Sequence, residues 1–317
     1  YCGWAESPDG RMHWLCVGAL VGGFLQMAVP AAALMREGWR PRFDLGRSGP
    51  LRQIVALMGP TVFGSAIYLI NMAVSRFIGL SLNDSAVTVL NLATRLMELP
   101  IGVFAIAIST VVFPLIAKHA ADRDDEKLAQ SYRKGMRLIL VINVPAAVGL
   151  AVLAEPLVRV LFQRGAFVAS DTALMLPVLA VYALGLPFFS FVNLALKAFY
   201  ARKDTVTPVR AALLSFVVNL GLSLALMRPL GTVGLAVAGN VAIVAQAWFL
   251  QSRLTRKLAG LGFAPLLPNL VKIAIASALM GGVVWGGLYG LEQLALSIQR
   301  RDWVVVGDLV NYTGQAL

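Results

Sequence analysis

Eight apolar stretches of membrane-crossing length constrain this chain more than any other feature. They fall at roughly 14–34, 54–80, 86–117, 138–161, 174–199, 209–227, 233–250 and 270–291. A helix rises about 1.5 Å per residue and needs about 20 apolar residues to cross about 30 Å of hydrocarbon. The strands of a membrane β-barrel are short and alternate in polarity, so runs this long exclude one. With 58% hydrophobic and only 14% charged residues, the chain also departs from soluble proteins, which run about 45–50% apolar and about 25% charged. A water-soluble enzyme is excluded. The fold class is all-α: a polytopic transmembrane helix bundle of about eight spans. Pro60, Pro100, Pro145, Pro177 and Pro187 interrupt the runs. Neighbouring helices can satisfy the freed carbonyls, and such bends are common in transporters.

The net charge of +11 in a soluble chain would suggest a nucleic-acid surface. Here the basic residues lie between the spans, so no nucleic-acid partner is expected. Loops after the first, third, fifth and seventh spans hold nineteen Lys and Arg, among them Arg36, Lys118, Arg202 and Arg256. The opposite side, with Arg76 at a helix end, holds seven. The richer side is cytoplasmic by the positive-inside rule, so the chain begins outside. Cys2, Cys16, His13 and His119 are the whole Cys and His inventory. It supports no disulfide framework, zinc site or nucleophilic triad, and no cofactor or metal is expected.

All but two charged side chains can be placed in loops or at helix ends. The exceptions are Arg95 and Glu98 in the third span. Nine residues of helix carry Arg95 about 14 Å deep, near the bilayer centre. A charge there costs at least ~2.5–3.5 kcal/mol and requires a wet cavity or a partner. Asn91, Arg95, Glu98 and Gly102 follow one helical face at i, i+4, i+7 and i+11. That face is expected to present Arg95 to an anionic substrate, with Glu98 orienting it. The planar guanidinium matches phosphate geometry better than Lys would. The bland alternative is a self-neutralised pair that locks helices together. Arg76, near the outer end of its span, is expected to snorkel.

Weaker polar stripes run along other spans: Gly64, Tyr68, Asn71 and Ser75; Ser190, Asn193 and Lys197; Ser215, Asn219 and Ser223. Singly each is interhelical glue; together they are expected to line a central hydrated cavity. No GxxxxGK[ST] phosphate loop is present, so the chain does not itself hydrolyse ATP. The acidic run Asp122-Arg123-Asp124-Asp125-Glu126 is read as the start of an amphipathic helix on the membrane surface rather than a magnesium site. In the run Phe199–Pro208, Thr205 or Thr207 is expected to cap a helix, with Arg202 and Lys203 facing the cytoplasmic headgroups.

Three ordered stretches, NLATRLMELPIGVFAIAISTVVFP (91–114), AEPLVRVLFQRGAF (154–167) and FYARKDTVTP (199–208), resemble the MurJ (MviN) family. The Gly22–Gln26 and Met58–Pro60 stretches fit in the same order, so the resemblance covers roughly residues 15–290. It implies a two-lobed exporter fold of fourteen helices, of which this chain carries about the sixth to the thirteenth. It implies a lipid II flippase of peptidoglycan biosynthesis, in a bacterial inner membrane, acting in cell wall organisation and cell shape. Arg95 and Glu98 match the family's functional pair in its eighth helix. The positions matching a sodium site of some members are Ser75, Asn219 and Ser223, without the carboxylates, so no such site is expected.

The implied partners are lipid II, membrane lipids and an N-terminal lobe of the same protein that is absent from this sequence. Tyr1 and the tail 303–317 give the chain the look of a piece. The expected organisation is an outer segment, first span and cytoplasmic loop over 1–53, a six-helix lobe over 54–267, and a groove helix with an incomplete tail over 268–317. The alternatives are an exporter of another lipid-linked saccharide or drug, an integral membrane enzyme on a polyprenyl phosphate, and an inactive helical remnant.

Overall fold

Hydrocarbon offers no hydrogen bonds, so a chain this apolar must satisfy its backbone within helices. A computed structural model describes residues 8–38, 49–82, 85–165, 167–258 and 267–314, and among these there is no strand. The helices are α1 (Pro8–Arg36), α2 (Gly49–Leu80), α3 (Ala86–Pro100), α4 (Ile106–Ala121), α5 (Asp125–Val152), α6 (Ala154–Phe162), α7 (Ala169–Ala201), α8 (Val206–Lys257) and α9 (Leu267–Gly314). A π-helical segment, Ile101–Ala105, joins α3 to α4. Cys2, the loop arginines Arg40, Arg42 and Arg47, and residues 315–317 lie outside the described residues.

Contacts divide the chain into two units, Tyr1–Gln53 and Ile54–Leu317. The first contains α1, apolar all round, with Trp14, Leu20 and Phe24 exposed. The second is organised around α7. Half of its membrane-length window is buried, more than in any other candidate span. One end of α7 packs with α3, α5, α6 and α8 through Val89, Leu96, Val158, Met175, Leu179 and Ala236. The other end packs with α4, α5 and α8 through Ile116, Tyr132, Leu194, Phe199, Ala211 and Leu250. Small residues let these helices approach: Gly135 on α5 sits where a Cβ would lie 3.0 Å from Val112 and 3.1 Å from Leu194. α9 packs on α5. Elsewhere large apolar side chains such as Phe63, Val111, Leu184, Trp248 and Val283 point outward, as lipid contact requires.

Among the described residues seven helices are long and apolar enough to cross a membrane. The 52-residue α8 is the longest of them, and it turns at Gly231 (φ 54°, ψ −131°) into two parts, each of crossing length. The apolar stretches 209–227 and 233–250 fall on either side of that turn. The stretch 138–161 is divided differently from expectation. α5 begins at Asp125 and ends at Val152, and the chain turns at Leu153 before the short α6. Residues 125–137 are therefore the first turns of a spanning helix, with Leu128, Ala129, Tyr132, Gly135 and Met136 buried, not a separate surface helix.

Two carboxylates of the acidic run serve in capping and pairing. Asp124 caps α5 by accepting the Lys127 amide at 3.0 Å, and Asp125 pairs with Arg202 at 2.6 Å. Arg202 is thereby tied across to α5 rather than left to the headgroups. The expected threonine cap is also corrected: Thr205 makes no side-chain cap. Asp204 accepts the Thr207 amide at 3.0 Å and the Thr207 hydroxyl at 2.8 Å, and Lys257 closes on the same carboxylate. A carboxylate accepts a backbone N–H more strongly than a hydroxyl does, so the acid takes the cap.

Asp204 is desolvated, which by itself would raise its pKa. The hydrogen bonds from Lys257 and Thr207 outweigh that and hold the carboxyl below its ordinary value. A lowered folded-state pKa stabilises the fold above the ordinary carboxylate range, and that contribution is lost as pH falls through it. The full-length protein in detergent should therefore lose stability at this site on acidification below the ordinary carboxylate range. Asp204→Asn should remove that component of the pH dependence in thermal melts, and an unaltered pH profile would refute the assignment.

Candidate functional site

α3 has two unlike faces. Ala86, Val89, Ala93, Leu96 and Met97 are buried, and Val89, Ala93 and Leu96 join a cluster that includes α7 residues Met175 and Leu179. Asn91, Arg95 and Glu98 lie on the other side. The Arg95 side chain is 78% exposed and that of Glu98 is 53% exposed, and Arg95 Nη1 donates to Glu98 Oε2 at 3.4 Å. An exposed pair at that distance contributes little to stability. The pair is neither sealed in a dry cluster nor wedged between helices of this unit, so it does not lock them together.

Arg76 is brought to the same place. Its Nη2 donates to Asn91 Oδ1 at 3.3 Å. Arg76 is exposed near the end of α2, and this hydrogen bond gives it a partner on the neighbouring helix. The signal was available in the spacing: α2 ends at Leu80 and α3 begins at Ala86, so Arg76 and Asn91 lie at similar distances from those two helix ends.

The helical register that links Asn91, Arg95 and Glu98 does not continue to Gly102. Pro100 cannot donate a backbone hydrogen bond, and the helix widens into the π segment Ile101–Ala105. Such segments absorb an irregularity inside a helix, and they are frequent at functional sites. Here the segment packs against both α5 and α7, so it joins the charged face to the core.

A second polar group forms between α2 and α8. Asn219 Nδ2 donates to Asn71 Oδ1 at 2.7 Å and to Ser75 Oγ at 3.1 Å. Ser223 Oγ donates to Asn219 Oδ1 at 3.5 Å. Asn219 and Ser223 are buried at 5% and 1% exposure. Two of the polar stripes thus meet, and they hydrogen-bond to one another. Four neutral side chains form an interhelical clasp, and the group contains no carboxylate.

Asn71 also borders a cleft of about 390 Å³ between α2, α7 and α8, lined in part by Tyr68, Tyr200, Ser215 and Gln246. Arg95, Glu98 and Asn91 do not line it. The α7 stripe divides. Ser190 is fully buried with its hydroxyl unpaired, whereas the exposed Asn193 donates to the Phe189 carbonyl of its own helix. A single cavity gathering every stripe is therefore not what these helices build. They build a charged open face on α2 and α3, and a separate neutral clasp.

Comparison with known proteins is consistent along the chain. The family profile described as Lipid II flippase MurJ matches residues 4–298. The probable lipid II flippase MurJ of Haemophilus influenzae is 33% identical over 97% of this chain and 62% of its own length. Its counterpart in Vibrio cholerae is 31% identical over 99% and 59%. The chain spans about three fifths of the length of these curated relatives. A solved lipid II flippase MurJ in an inward closed conformation superposes with TM-score 0.66 at 24% identity, covering 85% of this chain and 54% of its own. A Vibrio cholerae MATE transporter gives 0.63 at 17%, covering 77% and 56%. At these identities the two structures establish a shared helical fold.

Proposed function

This chain belongs to the lipid II flippase MurJ family, and on that premise we propose that it is the C-terminal part of a transporter carrying lipid II from the inner to the outer leaflet of the bacterial inner membrane. The observation that supports this most directly is the Arg95–Glu98 pair, 78% and 53% exposed on the unpacked face of a membrane-length helix. A charge at that depth is stable only beside water or an ionic partner. A diphosphate headgroup meets the same barrier, because it cannot leave water for hydrocarbon unaided. The guanidinium replaces part of its hydration with fixed charge-assisted hydrogen bonds. No covalent bond is made or broken; the work is binding and desolvation.

A second lobe, contributed by the additional length that the curated relatives possess, closes over this face and makes it a cavity. Rocking of the two lobes opens that cavity to each side in turn while the polyprenyl tail stays in lipid. Asn91 orients the cations. The Asn71–Ser75–Asn219–Ser223 clasp keeps α2 and α8 together as a rigid body, without a bound ion. Asn193 stands on an exposed part of α7 and contributes a polar position to the cavity wall.

The full-length gene product should restore growth and cell shape to a bacterium depleted of its own lipid II flippase. It should also translocate the lipid II headgroup in reconstituted vesicles. Export of a drug or of another lipid-linked saccharide, without lipid II translocation, would overturn the reading.

A further inference from the structure

We propose that Arg76 is a second guanidinium for the same anionic headgroup, held beside Arg95 by Asn91, so that the site selects a diphosphate over a single phosphate. This rests on the flippase reading above and extends it to a residue outside the α3 pair.

Arg76 lies four residues before the end of α2, and Asn91 lies five residues into α3. Both are therefore about 6–8 Å along their helices from the connection between them. The hydrogen bond from Arg76 Nη2 to Asn91 Oδ1 at 3.3 Å fixes that juxtaposition. Asn91 and Arg95 stand one helical turn apart, at i and i+4, where Cβ atoms are about 5–6 Å apart. Two cations from two helices thus converge on one open side.

Their charges are not balanced. Arg95 has Glu98 at 3.4 Å. Among the described residues the polar partner recorded for Arg76 is the neutral amide of Asn91, and no ion pair includes it. An amide oxygen orients a guanidinium without neutralising it, leaving its remaining N–H donors available. A surplus cation on an open face, oriented but not neutralised, is a site waiting for an anion. A diphosphate carries two phosphoryl groups on one bridging oxygen. Two planar forks set side by side can each engage one of them, whereas a monophosphate offers only one group to share.

The test uses the full-length protein in lipid nanodiscs, with polyprenyl diphosphate, polyprenyl monophosphate and neutral polyprenol of equal chain length as probes. Arg76→Gln should weaken diphosphate binding about tenfold and monophosphate binding less than threefold, with an unchanged melting temperature. Arg76→Lys, which keeps the charge but not the fork, should fall between wild type and Arg76→Gln. Asn91→Ala, which frees the guanidinium without removing it, should lower diphosphate affinity by a smaller factor than Arg76→Gln. If Arg76→Gln binds both phospholipids as the wild type does while Arg95→Ala loses them, the role of Arg76 is refuted and the flippase reading stands. Equal losses for the two lipids would refute the selectivity. If the wild type binds neutral polyprenol as well as the diphosphate, and Arg95→Ala changes nothing, the flippase reading itself fails.

Discussion

Arg95→Ala in the full-length protein should abolish rescue of a flippase-depleted bacterium and lower lipid II affinity or translocation by roughly 30- to 150-fold, while leaving the melting temperature within a degree or two of wild type. The factor corresponds to about 2–3 kcal/mol, the usual loss when one member of a desolvated charge contact is removed. The unaltered stability follows from the structure. The Arg95 side chain is 78% exposed, and its recorded polar contact is the 3.4 Å pair with Glu98, an interaction that contributes little to folding. Arg95→Lys should keep part of the activity, because the charge remains and the bidentate fork does not. The opposite pattern, a large drop in melting temperature with full rescue, would mean that the pair is a helix lock.

Gly231→Ala and Gly234→Ala should each destabilise the protein by about 1–3 kcal/mol, and more in combination. Gly231 holds φ 54° and ψ −131°, a region that a Cβ makes strongly unfavourable. Three residues later, a methyl group at Gly234 would press on the Leu226 carbonyl, 2.9 Å from its carbon atom. That atom is backbone at the end of the preceding helical stretch, so it cannot swing aside as a side chain would. The clash is the geometric consequence of the chain turning back between the two halves of α8. Gly221→Ala is the contrast. Among the described residues, a Cβ there would meet nothing within 4 Å beyond its chain neighbours and its own helix backbone, and alanine favours a helix interior over glycine, so this variant should melt at or above the wild-type temperature. Thermal unfolding in detergent reads all three, and wild-type stability in Gly231→Ala would show that the turn tolerates an ordinary helical residue.

These two sets of variants separate two kinds of residue. The charged face can be stripped without unfolding the unit, because it faces away from the packed core. The glycines of the α8 turn touch no candidate substrate group, and changing them should lower the amount of folded protein rather than its affinity. A measurement that reports only rescue would confuse them; affinity and melting temperature together do not.

The sequence by itself determined the helical class, the approximate number of crossings and the candidate charged pair. Those follow from local chemistry. A run of about 20 apolar residues has few ways to exist in a membrane, and an arginine such as Arg95 or a glutamate such as Glu98 within such a run is conspicuous because each charge there is costly. The break between the sixth and seventh spans was equally legible, since the Arg228–Thr232 segment interrupts two apolar runs.

Only the tertiary structure decided which polar residues meet. Asn219 reaches Asn71 and Ser75 across 148 and 144 residues of chain, and no periodicity within one helix reveals its partner in another. The same holds for Arg202 with Asp125, and for Asp204 with Lys257, whose sequence contexts favoured threonine capping and headgroup contact. Arg76, near a helix end, has an adequate local account in snorkelling, and that account does not reveal Asn91 as a partner. Its actual contact depends on how α2 and α3 lie against each other. Single-helix patterns report which side chains share a face. Hydrogen-bond partners, and the open or buried character of that face, are set by helix-to-helix distance and rotation, which packing of the whole core imposes.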